Sequence, residues 1–240
     1  MRTVRKRLII TAAVLLCTAA VLYGLLQVSK SRSFQFFGDL VDRVDTTEPV
    51  VALTFDDAPT NATAEVLETL GRYDVKGTFY ALGSELERHP DLGRRIVAEG
   101  HELGNHTFSH RRMVGTNETP GFVRAELDRT DAAIRATGYD GPITFRPPYG
   151  KKLFVLPWEL SRRGVTTVTW DVEPDTLHAG DADGIERYTV ERTRPGSIVL
   201  LHPFCADECR ADREALPRII ERLRADGFRF VTVRELLALR

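Results

Sequence analysis

The sequence predicts an α/β fold: a barrel of about seven parallel strands, closed or incomplete, behind one N-terminal transmembrane helix. Three observations predict it. From Pro49 onward, continuous apolar runs of strand length alternate with amphipathic helical patterns, as expected of parallel strands buried on both faces. Polar residues recur at or just past the C-terminal ends of those runs, the face where sites form in such barrels. Finally, Arg2, Arg5, Lys6 and Arg7 precede an apolar stretch from Leu8 to Val28. Its length of about 21 residues lets a helix cross a hydrocarbon layer of about 30 Å.

The positive flank predicts a cytoplasmic N-terminus, with everything after Lys30 outside: a single-pass, membrane-anchored protein with an extracytoplasmic domain. A cleaved signal peptide is the rival. Its apolar region would span about 7–15 residues and end at a small-x-small site, which Leu22-Tyr23-Gly24-Leu25-Leu26 does not offer. Cys17 suggests a lipoprotein, but Leu16 before it is bulky and the apolar run continues beyond it. Ser29 to Glu48 is polar and irregular, with Phe34, Phe36 and Phe37 as its bulky cluster. It reads as a stalk whose aromatics dock on the domain or on the bilayer surface. The expected organisation is residues 1–30 as basic stub and anchor, 31–48 as linker and 49–240 as one globular domain.

Strands are expected at Val50–Phe55, Gly77–Leu82, Glu102–Asn105, Ile143–Arg146, Val165–Asp171, Ser197–His202 and Phe228–Val233. Helices are expected at Ala62–Tyr73, Asp91–Glu99, Pro120–Thr137, Leu153–Arg163, Ile185–Arg192, Arg213–Ala225 and Arg234–Leu239. With 240 residues and 42% hydrophobic content, the chain can bury one ordinary core. Net charge is −1 with both signs interspersed, and the part after the anchor has no basic tract, so nothing suggests nucleic acid. Cys205 and Cys209 lie in an expected loop on the oxidising side of the membrane. A local disulfide, two free thiols and, less well supported, a metal site all remain open.

The chemistry-bearing residues begin with Asp56-Asp57, at the end of Val50-Val51-Ala52-Leu53-Thr54-Phe55. Adjacent strand residues point in different directions, so the two carboxylates can take separate tasks. The bland reading is a strand-end turn. In His106-Thr107-Phe108-Ser109-His110, two histidines four apart on a helical turn would share one face. They could equally be capping or surface residues; His89 and His101 are read as surface histidines. One Asp and two His can hold a divalent ion with a position open for water. Arg146-Pro147-Pro148-Tyr149-Gly150 is a stiff turn after a strand. It is either structural or a device that pairs Arg146 with a carboxylate and presents a backbone N–H to an oxyanion. His202 closes Ile198-Val199-Leu200-Leu201 and is followed by Pro203, so it lies at the rim, where it could donate a proton. Asp171, Glu173 and Asp175 supply carboxylates that could orient it, and His178, in a loop, is a further candidate.

Together, Thr54-Phe55-Asp56-Asp57, His106-Thr107-Phe108-Ser109-His110, Arg146-Pro147-Pro148-Tyr149 and Leu200-Leu201-His202 resemble four of the five ordered motifs of the polysaccharide deacetylases. This is carbohydrate esterase family 4, the NodB-homology domain, and the resemblance runs from about Pro49 to Leu239. It implies a distorted (β/α) barrel and a divalent metal, usually Zn2+, with Co2+, Ni2+ or Mn2+ as alternatives. It also implies hydrolysis of acetyl groups from N-acetylated, or sometimes O-acetylated, glycans. Position by position it implies Asp56 as general base, Asp57, His106 and His110 as metal ligands, and Arg146 as the residue holding the base. The Tyr149 N–H would stabilise the oxyanion, and His202 would be the general acid. Two departures stand out: Ala58 replaces the glycine usual after the Asp pair, and the fourth motif, Asp-x-x-Asp-Trp in the family, is incomplete. Aligning Trp170 puts Glu173 at the position that supports the acid histidine. The rival functions are a metal-dependent hydrolase of non-sugar amides and a non-catalytic glycan-binding module at the cell surface.

Overall fold

The computed structural model describes residues 2–240. Helix α1 (Arg2–Lys30) stands apart, with most of its apolar side chains exposed and Leu25 and Val28 partly covered near its end. The strands that follow are β1 (Leu40–Val41), β2 (Val50–Ala58), β3 (Thr78–Ala81), β4 (Glu102–Asn105), β5 (Thr167–Val168), β6 (Ser197–Leu201) and β7 (Arg229–Phe230). Between and after them come α2 (Thr63–Arg72), α3 (Gly83–Arg88), α4 (Pro90–Ala98), α5 (Pro120–Ala136), α6 (Val155–Arg163), α7 (Ala182–Arg192), α8 (Arg210–Ala225) and α9 (Val233–Leu237).

The named strands pair in parallel, in the order β4-β3-β2-β6, with β7 beside the start of β2 and β1 beside β5, and one isolated antiparallel bridge joins Arg43 to Ser197. Isolated parallel pairings, Asn105 with Phe145, Phe145 with Thr167, and Val172 with Val199, carry the ring round between β4 and β6. This is a distorted barrel. The expected strand at Ile143–Arg146 therefore reduces to one paired residue, and that at Val165–Asp171 to β5, with Val172 just beyond it paired alone. Pro142, Pro147 and Pro148 lack the N–H a longer ladder would use.

Parity along β2 sorts the side chains. Val51, Leu53 and Phe55 face outward into a core shared with Leu67 and Leu70 of α2, Ile96 of α4 and Ile219 and Leu223 of α8. Val50 and Ala52 face inward with Tyr80, Val168, Trp170, Ile198 and Leu200, and Val233 and Leu236 of α9 pack on that inner cluster. By the same alternation Thr54 and Asp56 point inward, at the C-terminal end of the barrel.

Three expectations are corrected here, and one alternative left open is decided. Helix α3 was not anticipated, being a short segment without a full apolar period. His101 is buried, and its Nδ1 accepts from the Gly77 N–H at 3.1 Å. The expected stalk is docked: β1 pairs with β5, and the Thr169 hydroxyl donates to the Arg32 carbonyl at 2.6 Å. Lys152 donates its N–H to the Ser29 carbonyl at 3.1 Å and its Nζ to the Ser31 carbonyl at 2.5 Å. The fold thus begins at the end of α1 rather than at residue 49. A two-residue strand and backbone docking leave no periodic trace in a sequence, which is why this segment read as linker. Of the alternatives left open for Cys205 and Cys209, the structure has the local disulfide.

Candidate metal and catalytic centre

Asp56 and Asp57 reach the same cluster because β2 is irregular at its end. Asp56 pairs with Tyr80 and Ala58 with Ala81, so Asp57 is the extra residue, at φ 70°. This bulge replaces the simple alternation expected of the strand. Asp57 Oδ1 lies 3.4 Å from His110 Nε2 and 3.7 Å from His106 Nε2, while Asp56 Oδ2 lies 3.6 Å from His106 Nε2.

The two histidines are not on a helical turn. Residues 106–110 form a tight loop after β4, with positive φ at Thr107 and His110. Side chains shape it: Asn105 accepts from the Thr107 N–H, and Glu126 of α5 accepts from the N–H groups of Phe108 and Ser109 and from the Ser109 hydroxyl. Of the five non-glycine residues with positive φ among the described residues, Asp57, Thr107, His110 and Tyr149 lie at this site and Asp74 lies elsewhere. Such strain persists where the surroundings over-determine it, and it concentrates at functional sites.

The donor set fits a divalent ion. One donor atom each from Asp57, His106 and His110 lies within 4.8 Å of the others. Tetrahedral ligands at about 2.1 Å from an ion are about 3.4 Å apart, close to the separations seen. Asp57 Oδ1 is a buried acceptor with no hydrogen-bond partner among the described residues. His106 Nδ1 lies 2.8 Å from the Arg146 carbonyl, which can only accept, so this nitrogen carries the proton and Nε2 is free to coordinate.

Arg146 is completely buried. Its guanidinium donates to Asp56 Oδ1 at 2.8 Å, Thr54 Oγ1 at 2.8 Å and the Thr169 and Val168 carbonyls at 3.0 and 3.3 Å. It also lies 4.0 Å from the Tyr80 ring centre. Burial alone would raise the Asp56 pKa; the charge and hydrogen bond of Arg146, with the charge of His202, outweigh it and hold the carboxyl below its ordinary range. Tyr149, at φ 58°, lies beside His110, with ring centres 4.7 Å apart.

His202 enters from the opposite wall. Its carboxylate partner is Asp175, not Glu173: Asp175 Oδ2 accepts from both the backbone N–H and Nδ1 of His202 at 2.8 Å. Burial would lower the His202 pKa, but the Asp175 hydrogen bond and charge, with Asp56 and Asp57 behind, raise it to about 10. Glu173 instead binds Arg32, the Trp170 indole N–H and the Thr176 hydroxyl. Matching the family motif on Trp170 mis-set the spacing by two residues, because a polar loop offers no periodicity to correct it. Behind Asp175 stands buried Asp212 of α8, whose pKa burial and the Asp175 carboxylate raise to about 7. Asp212 lies on a helical pattern with no local mark of this role. His178 packs near Tyr188, outside the cleft. Asp56, Asp57, His106, His110, Tyr149, Glu173 and His202 all line one cleft of about 490 Å³, joined by Lys30, Arg32 and Lys151.

Residues 43–168 match the family model described as polysaccharide deacetylase. A peptidoglycan-N-acetylglucosamine deacetylase of Bacillus cereus is 36% identical over 186 residues, 76% of this chain and 66% of the relative. Another from Listeria monocytogenes is 33% identical over 192 residues, 79% of this chain and 39% of that protein. The chain thus spans less than two thirds of each of these two relatives. A solved peptidoglycan N-acetylglucosamine deacetylase, bound to 4-naphthalen-1-yl-N-oxidanyl-benzamide, superposes with a TM-score of 0.74 at 32% identity, covering 81% of this chain and 91% of that one. The chain belongs to the polysaccharide deacetylase family. Deacetylases of this family are in general metal-dependent, in keeping with the donor set described above.

Proposed function

We propose that this protein is a metal-dependent deacetylase that removes acetyl groups from N-acetylated glycans of the cell envelope. The observation that carries the reading is one cleft with two opposed walls. On one, Asp56 is locked to Arg146 beside the Asp57-His106-His110 donor set; on the other, His202 is held by Asp175. Asp57, His106 and His110 would hold the ion, for which Zn2+ is the natural fit to two imidazoles and a carboxylate. A bound divalent ion supplies Lewis acidity, polarising the acetyl carbonyl and acidifying water.

The chain's own groups supply the remaining steps. Asp56, kept ionised by Arg146, takes a proton from the attacking water through Oδ2. The Tyr149 N–H, which has no partner among the described residues, is available to the developing oxyanion; one such donor is typically worth about 3 kcal/mol. His202 Nδ1 is engaged by Asp175, leaving Nε2 to protonate the departing sugar amine. A binding module without turnover would have no need of a carboxylate poised behind that histidine. Helix α1, read as an anchor with a cytoplasmic N-terminus, puts the cleft outside the membrane, where envelope glycans lie.

The test is acetate release from chito-oligosaccharides and peptidoglycan fragments, before and after chelation and after Zn2+ is restored. Chelator-sensitive release supports the reading. Turnover of small amides with none of the glycans would favour the non-sugar amidase instead.

A further inference from the structure

Five large aromatic side chains form one exposed patch at the foot of α1. Phe36 stacks on Phe154 with ring centres 4.9 Å apart, Phe37 meets Trp158 edge-on at 5.4 Å, and Phe34 meets Phe36 edge-on at 5.6 Å. All five are exposed, Trp158 by 51%. A soluble surface rarely leaves so many adjacent aromatics uncovered. Their place in the fold says what covers them. Lys152 bonds through its N–H to the carbonyl of Ser29 in the last turn of α1, and Phe154 follows two residues later. Two residues span at most about 7 Å, so the patch begins beside the point where α1 enters the domain. The span itself is apolar and uncovered by protein, and it ends at Lys30, next to this cluster.

We propose that the patch formed by Phe34, Phe36, Phe37, Phe154 and Trp158 seats in the interfacial layer of the bilayer that α1 crosses. Trp rings favour that layer, Phe side chains bury beside them at the boundary of headgroups and acyl chains, and two contact points, a helix and a rigid patch, fix an orientation that one helix alone does not. Lys30 and Arg32 line the cleft, so its mouth then opens beside the lipid surface, toward glycan presented there. The inference rests on the reading of α1 as a membrane span, and its test does not depend on enzymatic activity.

The chain has two tryptophans, Trp158 in the patch and the buried Trp170. The full-length protein is reconstituted in vesicles of phosphatidylcholine, with or without bromine on the acyl carbons nearest the headgroup, and insertion is checked by co-flotation. Brominated lipid should quench on the order of half of the tryptophan emission, one residue of two at the interface. Trp158→Phe should abolish the quenching while the emission of Trp170 reports an intact fold. An inserted native chain quenched no more than Trp158→Phe overturns the proposal. A chain that fails to co-float overturns both the anchor reading and the seating that depends on it.

Discussion

Replacing Asp175 by Asn isolates the acid half of the cleft. The change removes a charge but keeps an oxygen that can still accept from His202 Nδ1, 2.8 Å away in the native site. An opposite charge at this range typically shifts a pKa by about 1–3 units. The His202 side chain is 35% exposed, so water screens part of the effect, and a shift of roughly 1–2 pH units is expected. Native His202 is held protonated up to about 10, and activity that needs the imidazolium is lost as pH rises through that value. In Asp175→Asn the alkaline limb of kcat/KM should move down by that amount, costing about 10–100-fold where native activity is still full. The same sign holds for stability. The interaction contributes fully below the ordinary histidine value of 6.5, and its contribution is lost as pH rises through about 10. The assay is acetate release from an N-acetylglucosamine oligomer across pH, beside an aryl acetate whose leaving group needs no proton. An unmoved alkaline limb, or an equal loss on the aryl ester, would refute the reasoning.

Asp56→Asn should abolish turnover yet still bind Zn2+, measured by calorimetry; loss of the metal would mean the two Asp roles are reversed. Arg146→Met leaves buried Asp56 without its partner and should destabilise the fold by about 3–5 kcal/mol, read from denaturant unfolding. Glu126→Gln weakens the three hydrogen bonds that shape the 106–110 loop and should lower Zn2+ affinity about 10–100-fold, although Glu126 is not itself a candidate ligand. Chelation of the native protein should lower its melting temperature and Zn2+ should restore it, since an ion bound only by the folded state stabilises it.

Much of this protein was legible in its chain. The long strands β2 and β6 are runs of apolar residues that no other element explains, and their C-terminal polar residues mark the working end of the barrel. Asp57, His106 and His110 stand out because a carboxylate and two nearby imidazoles are a recognisable donor set before any geometry is known. Other features depended on contacts between distant segments. The bulge at Asp57 and the left-handed turns at Thr107 and His110 arise from pairing with β3 and from Glu126, which sequence periodicity cannot register. The choice of Asp175 over Glu173 depends on which carboxylate a loop turns toward His202. The docking of residues 29–41, which brings Lys30 and Arg32 to the cleft, rests on backbone hydrogen bonds to segments more than a hundred residues away. Side-chain type and local period are properties of the chain itself, so chemistry and element class could be read directly. Backbone hydrogen bonds and burial are properties of the closed barrel, so only the tertiary structure decided which of the available charges meet.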